Sequence, residues 1–307
     1  MRQHFLVAEE QEDVRIDRYL AEACENLSRS YIQKLLKDGE VLVDGKSVKA
    51  SYKVCFGDQV IFDIPEAVEP EILAEDMDLD ILYEDPDVIL VNKPKGMVVH
   101  PAAGHYSGTL VNGLMAHCKD QLSGINGVMR PGIVHRIDMD TTGILIACKN
   151  DFAHNAIAAQ LKEHSITRKY LAVVHGVIKE EQGTVDAPIG RHPVERKKMS
   201  INEKNGRHAV THYEVLQRFS RYTYIECRLE TGRTHQIRVH MASIGHPLVG
   251  DEVYGPHKCP FSLQGQTLHA AVLGFVHPRT GEYLEFQAPL PEYFEKLLEK
   301  LETGDRG

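Results

Sequence analysis

The feature that most constrains this chain is the run His135-Arg136-Ile137-Asp138-Met139-Asp140-Thr141-Thr142-Gly143, joined directly to the apolar stretch Ile144-Leu145-Ile146-Ala147-Cys148. An unbroken apolar segment entered through a glycine predicts a strand buried in a core. A cation and a carboxylate, Arg136 and Asp138, stand just ahead of it, where the end of a packed strand holds side chains stiffly. Spacing alone leaves two readings open. Either Asp138 belongs to the reacting end of a site, or Asp and Thr side chains here cap the backbone of a turn.

With 307 residues the chain can form one large domain or two of moderate size. No apolar run approaches the roughly 20 residues needed to cross a bilayer, so no membrane partner is expected. The first residues, Met1-Arg2-Gln3-His4-Phe5, soon reach Glu9-Glu10-Gln11-Glu12-Asp13 and lack the apolar centre of a secretory signal. Cysteines 24, 55, 118, 148, 227 and 259 include no Cys-x-x-Cys pair. Their scatter argues against a zinc site or a disulfide framework and predicts a reducing, cytoplasmic setting.

A net charge of −9 argues at first against a nucleic-acid partner. Its distribution changes that conclusion. Between Pro65 and Asn92 lie ten acidic residues and no Lys or Arg, and taking those ten charges out leaves +1 for the rest of the chain. Local patches, not the total, decide where a phosphate backbone can sit.

Residues 13–64 read as a compact N-terminal unit. Arg15-Ile16-Asp17-Arg18-Tyr19-Leu20 opens one amphipathic helix, and Ser28, as N-cap, opens a second that Gly39 ends. Val41-Leu42-Val43-Asp44-Gly45-Lys46 predicts a strand and an Asp-Gly hairpin turn, and Gln59-Val60-Ile61-Phe62 a further strand. Arg29 and Lys34 on the second helix are candidate RNA phosphate contacts, with a merely solvated helix face as the alternative. Residues 65–78 read as an acidic linker, and 79–302 as a larger domain. There Val88–Val91, 169–177 and 222–230 predict strands, 152–162 and 290–301 helices. Strands and helices mix without strict alternation, which predicts an α+β fold: a mixed, largely antiparallel central sheet with flanking helices.

Three distant positions carry candidate chemistry. Asp138 can serve as nucleophile or general base. Arg238, in Gln236-Ile237-Arg238, is a candidate cationic partner for it. Tyr170, after Arg168-Lys169 at the head of a strand, can stack on a base. The segment 191–199, with Arg196, Lys197 and Lys198, reads as a basic loop between strands, either a finger able to grip a nucleic-acid backbone or a merely solvated loop. A paired-carboxylate reading of Asp138 with Asp140, as in a glycosidase, fits less well because residues 139–142 look like a turn.

Residues 13–64 resemble the α-L RNA-binding module first known from a small-subunit ribosomal protein, through Arg15-x-Asp17-x-x-Leu20, Ser28-Arg29 and Gly39-x-Val41-x-Val43-x-Gly45. The larger region resembles the RluA-type pseudouridine synthases. The matching blocks are Asn92-Lys93-Pro94-x-Gly96 with His100-Pro101, Pro131 through Gly143, Arg168-Lys169-Tyr170-x-Ala172, and Thr231-Gly232-Arg233-Thr234-His235-Gln236-Ile237-Arg238-Val239-His240. Ile137 stands where that family more often has Leu, a swap that keeps the apolar volume. The resemblance implies the pseudouridine synthase fold and isomerisation of uridines in large-subunit (23S) ribosomal RNA. It implies Asp138 as the catalytic carboxylate paired with Arg238, Tyr170 against the target base, and Arg136 in the gap left by a flipped-out nucleotide. Substrate and product are isomers, so no cofactor or metal is expected. The expected partner is ribosomal RNA, free or in a large-subunit particle, bound by a monomer. An RNA-binding assembly factor without chemistry is the alternative.

Overall fold

The computed structural model describes residues 2–24, 27, 29–63, 72–102, 104–119, 121–127, 130–195 and 198–304. They form two compact units, Met1–Pro70 and Glu71–Gly307.

The first unit contains β1 (Arg2–Leu6), α1 (Ile16–Ala23), α2 (Arg29–Asp38), β2 (Val41–Val43), β3 (Lys46–Ser47) and β4 (Gln59–Asp63). Its sheet has the order β1-β4-β2-β3, antiparallel throughout. At the end of α2, Gly39 (φ +80°) donates to the Leu36 carbonyl and Glu40 to that of Leu35. This paired closure needs a left-handed residue, which glycine supplies without strain. Asp44 and Gly45 (φ 49° and 76°) make the tight hairpin between β2 and β3. Ile16, Leu20, Ile32, Leu36, Val41 and Phe62 fill the core. Strand β1 carries no pattern of its own that foretells it. It is an edge strand whose partner, β4, lies more than fifty residues away. The expected N-cap Ser28 lies outside the described residues, as does the first part of the linker. Residues 72–78 differ from a free linker. Ile72 is buried in the second unit's core, and Glu75 N–H donates to the Asn112 carbonyl.

The second unit runs β5 (Ile81–Glu84), β6 (Val88–Lys93), α3 (Leu110–Cys118), β7 (Thr142–Cys148), α4 (Asp151–Lys162), β8 (Thr167–His175), β9 (Gln182–Asp186), β10 (Ile189–Arg191), β11 (Met199–Ile201), β12 (Val210–Arg218), β13 (Tyr222–Leu229), α5 (Gln236–Ser243), β14 (Leu268–Val276), β15 (Tyr283–Gln287) and α6 (Glu292–Gly304). The central sheet has the order β5-β6-β7-β14-β8-β13-β12-β9, with β15 added on β14. Every pairing is antiparallel except β7 with β14. The expected mixed, largely antiparallel sheet is what forms.

From Ile144 to Cys148 strand β7 is apolar because both sheet faces are covered. Leu145 and Ala147 enter one core with α3, while Ile144, Ile146 and Cys148 enter another with Ala153 and Ile157 of α4. Alternation across the pleat sends neighbours to opposite faces, so two covered faces leave no polar position. At the start of β7, Gly143 (φ +106°) sits against β14, and a Cβ there would collide with the Ala270 carbonyl oxygen. Glycine is therefore required twice over, by conformation and by space. The strands meet at only two positions, Thr142 with His269 and Gly143 with Ala270. That close approach anchors the chain directly after Asp138.

Candidate active site

The chain ahead of β7 turns back on itself through a Thr141 N–H to Asp138 carbonyl hydrogen bond. The turn sends Asp138 into a cavity of about 410 Å³, whose walls include Arg136, Arg168, Tyr170, His235 and Arg238. Asp140 is not among the lining residues, so the two carboxylates do not form the pair that a glycosidase would need. Of the two readings of the run, the turn exists and also presents Asp138 to a cleft.

Arg238 lies on α5 and joins two carboxylates. Its Nη1 donates to Asp138 Oδ2 at 2.9 Å, while Nε and Nη2 donate to Asp251 Oδ2 and Oδ1 at 2.6 and 2.9 Å. Asp251 is fully buried and also accepts the Val253 and Tyr254 N–H groups. Burial alone would lower the Arg238 pKa, but Asp251 and then Asp138 outweigh it and push it up. A guanidinium clamped in two directions has little rotational freedom left, so it holds Asp138 at a fixed place.

Helix α5 starts at His235, a non-glycine residue in the left-handed region (φ 56°). The strained entry is held by Gln236, whose Oε1 accepts from Thr231 Oγ1 and Arg233 N–H and whose Nε2 donates to the Val210 carbonyl. His235 Nε2 stands 3.8 Å from Asp138 Oδ1, and its Nδ1 is 2.9 Å from the Tyr254 hydroxyl. That hydroxyl also accepts the Met199 N–H at 2.8 Å. Tyr170, on β8 and 8 % exposed, completes the wall. Burial raises its pKa, Asp138 adds to the rise and Arg168 opposes it. His135 Nε2 accepts the Ile146 N–H, and burial with help from Arg168 lowers its pKa to about 3, so it is a neutral structural group.

Beneath the Asp138 turn lies Lys93, fully buried at the end of β6. Its Nζ donates to the carbonyls of Pro94, Met97 and Met139. Desolvation lowers its pKa to about 7, against the opposing pull of Asp140 and Asp138. A lysine depressed on folding is protonated in the unfolded chain but not in the folded one between about 7 and its ordinary value, so stability rises with pH there. Relative to Lys93→Met, the parent protein should therefore gain stability as pH rises from about 7 towards 10, measured by denaturant unfolding. A constant difference would contradict this.

The structure thus brings Asp138, Tyr170, Arg136 and Arg238 together around one cavity. The proposed phosphate contacts are disposed differently. Arg29 donates to buried Asp17, which also takes Arg15 and Gln33. Burial would raise the Asp17 pKa, but these hydrogen bonds hold it down at about 2. Lys34 is exposed on α2. Lys198, at the end of the β10–β11 loop, pairs with Glu195 at 2.9 Å. Arg196 and Lys197 lie outside the described residues. Sequence reasoning assigned no role to Lys93, Arg168, His235, Asp251 or Tyr254. The first three stand inside recognisable blocks, whereas nothing in the spacing marks Asp251 or Tyr254.

Among the described residues no helix is long and apolar enough to cross a membrane. One group of metal-ligand types, Asp85, Asp87 and His277, comes together there. Its carboxylates are already engaged, Asp87 by Arg279 and Asp85 by Tyr83 and His277.

Comparison with known proteins gives a concordant result. Residues 87–243 match the family described as RNA pseudouridylate synthase, and residues 14–60 match the S4 domain. An RNA pseudouridine synthase of Bacillus subtilis is 60 % identical over 96 % of this chain and 96 % of its own. The ribosomal large subunit pseudouridine synthase D of Zymomonas mobilis is 46 % identical, with 95 % of each chain covered. Among solved structures, human RNA pseudouridylate synthase domain containing 1 aligns with a TM-score of 0.57 at 25 % identity, covering 75 % of this chain and 96 % of that one.

Proposed function

The chain belongs to the RNA pseudouridylate synthase family, and from that premise we propose that it isomerises specific uridines of large-subunit (23S) ribosomal RNA, with Asp138 as the catalytic carboxylate acting on a flipped-out nucleotide. The observation that carries this reading is the Asp138–Arg238 pair in the wall of a cavity of about 410 Å³, a volume suited to one small ligand group. Arg238 engages Oδ2, leaving Oδ1 for the nucleotide. Tyr170 supplies an apolar ring against which a pyrimidine can lie. Arg136, exposed at the rim, is the group that fills the space vacated by the everted base.

The reaction breaks the bond from ribose C1′ to N1, turns the base, and forms a bond from C1′ to C5. The C5 proton leaves to water and N1 gains one, so atoms balance and no electrons are exchanged. The rigid carboxylate and the pocket that holds the detached base are what this chain supplies. The large-subunit target is supported by relatives at 45–46 % identity that bear that name, and by the S4 match at residues 14–60. In this reading the chain acts as a monomer in the cytoplasm on ribosomal RNA, free or in a large-subunit particle.

Pseudouridine mapping of 23S ribosomal RNA from cells with and without this protein tests the reading. Specific sites should vanish without it and return with it. An unchanged map would favour an assembly factor instead. Lys34 and the 196–198 segment are the proposed backbone grips, together with Arg29 beside its Asp17 anchor. Reversing Arg196, Lys197 and Lys198 to Glu should weaken RNA binding and flatten its salt dependence. Identical salt titrations would remove the segment from the interface.

A further inference from the structure

One buried cation in the cavity wall has no carboxylate to match it among the described residues. Arg168 is only 6 % exposed, and no carboxylate pairs with it among the described residues. Its neighbour on the strand, Lys169, does have one, Glu226 at 3.2 Å. The Arg168 guanidinium makes one hydrogen bond, from Nη2 to the Glu230 carbonyl at 3.1 Å, and its Nε is enclosed with no acceptor. Retaining a buried charge in this condition is costly unless something else completes its surroundings.

Gly232 is the second observation. It also lines the cavity, and its φ is not in the left-handed region, so conformation does not require glycine there. Space does. A Cβ at Gly232 would come within 2.6 Å of Arg168 Nη1. With no side chain of its own, Gly232 leaves room beside that nitrogen.

The charge of the wall indicates what could fill the gap. Arg238 is matched by Asp138 and Asp251. Arg136, Lys162, Arg168 and Arg233 also line the cavity, and Asp138 is the one acidic residue that does. A wall with this excess of cations favours an anion over a neutral carbonyl.

We propose that Arg168, uncovered by Gly232, is the binding site for the phosphodiester next to the flipped-out uridine. The proposal rests on the uridine-isomerising reading above. Arg168 and Tyr170 are two residues apart on β8 and so share a face, about 6.6 Å apart along the strand. A base lying on Tyr170 has its own phosphate displaced by a comparable reach across the ribose. Arg168 thus fixes the sugar–phosphate end of the nucleotide while Tyr170 fixes the base, setting C1′ between them opposite Asp138. It is a positioning residue, and a planar guanidinium suits a phosphate through two nitrogens.

The test uses a synthetic RNA containing a uridine that the wild-type protein converts, made in three forms. One has normal linkages, one a neutral methylphosphonate on the 5′ side of that uridine, and one the same change on the 3′ side. Conversion is followed by tritium release from C5 for wild type, Arg168→Met and Gly232→Ala. With normal RNA, Arg168→Met should lower kcat/KM roughly 10- to 100-fold. One of the two neutral linkages should cost the wild type a similar factor and cost Arg168→Met almost nothing. Gly232→Ala, which keeps the cation but sets a Cβ against Nη1 so that the guanidinium must shift, should be equally indifferent, and it carries the test if Arg168→Met does not fold. Neutral linkages that penalise all three proteins alike, or none, would overturn the phosphate assignment. A wild type that converts no uridine in any RNA would instead refute the underlying reading.

Discussion

Asp138→Asn is expected to lower the rate of pseudouridine formation by roughly four orders of magnitude or more, while RNA affinity stays within a few-fold of the parent protein. The substitution keeps the shape of the side chain and an oxygen able to accept from Arg238 Nη1. It removes the negative charge and the nucleophilic oxygen. Binding should survive because the phosphate contacts proposed here are made by other residues, on α2, in the 196–198 segment and at Arg168. Tritium release from C5-labelled uridine, with binding measured on the same RNA, separates the two effects. Residual turnover near the parent rate would remove Asp138 from its proposed role.

The second large effect falls on stability as well as activity. Arg238→Met should destabilise the fold by about 3–5 kcal/mol and abolish turnover. Arg238 is 7 % exposed and stands between Asp138 and Asp251, the latter wholly buried. Methionine approximates the volume of the side-chain stem but leaves Asp251 without its cation, with only the Val253 and Tyr254 N–H groups to face it. Breaking one side of a buried pair is costly because the remaining charge stays desolvated. The deficit should therefore shrink as pH is lowered and the stranded carboxylate takes up a proton, whereas a packing defect would not respond. Chemical denaturation of both proteins at several pH values distinguishes the two. A pH-independent loss would mean that the methionine's fit, not the orphaned carboxylate, sets the cost.

The two effects share one geometric origin. Arg238 is held by Asp251 on one side, and Asp138 is held by Arg238 and by the turn before β7 on the other. Behind that turn, Gly143 allows β14 to approach and Lys93 ties the Met139 carbonyl to the end of β6. The carboxylate is thus fixed by charge from one direction and by backbone from another. A site that reorganises little suits the proposed action on a flipped-out nucleotide.

Much of this arrangement is legible locally. The apolar run after Gly143 marks β7 and places Asp138 at its head. Gly39 and the Asp44-Gly45 pair mark where α2 stops and the first hairpin turns, because each requires a left-handed backbone. The blocks around Asp138, Tyr170 and Arg238 mark the site by their joint resemblance to one family. Other features leave no such trace. Strand β1 depends on a distant edge, residues 72–78 depend on a core that they join, and His235 adopts its left-handed conformation only because Gln236 and Tyr254 hold it. The closeness of Gly232 to Arg168 is equally silent, since Gly232 reads as an ordinary turn glycine until the guanidinium beside it is seen.

The amino-acid sequence by itself determined the kinds of element, their order, the turn positions and the family, because periodicity and turn chemistry act within a few residues. Only the tertiary structure decided which charges meet: Arg238 reaches Asp138 across 100 residues of chain, Asp251 closes the clamp from behind, and Arg168 is left unmatched beside Gly232. The physical reason is that pairing energies depend on distance and desolvation in space. Neither quantity exists until the sheet has brought the distant segments together.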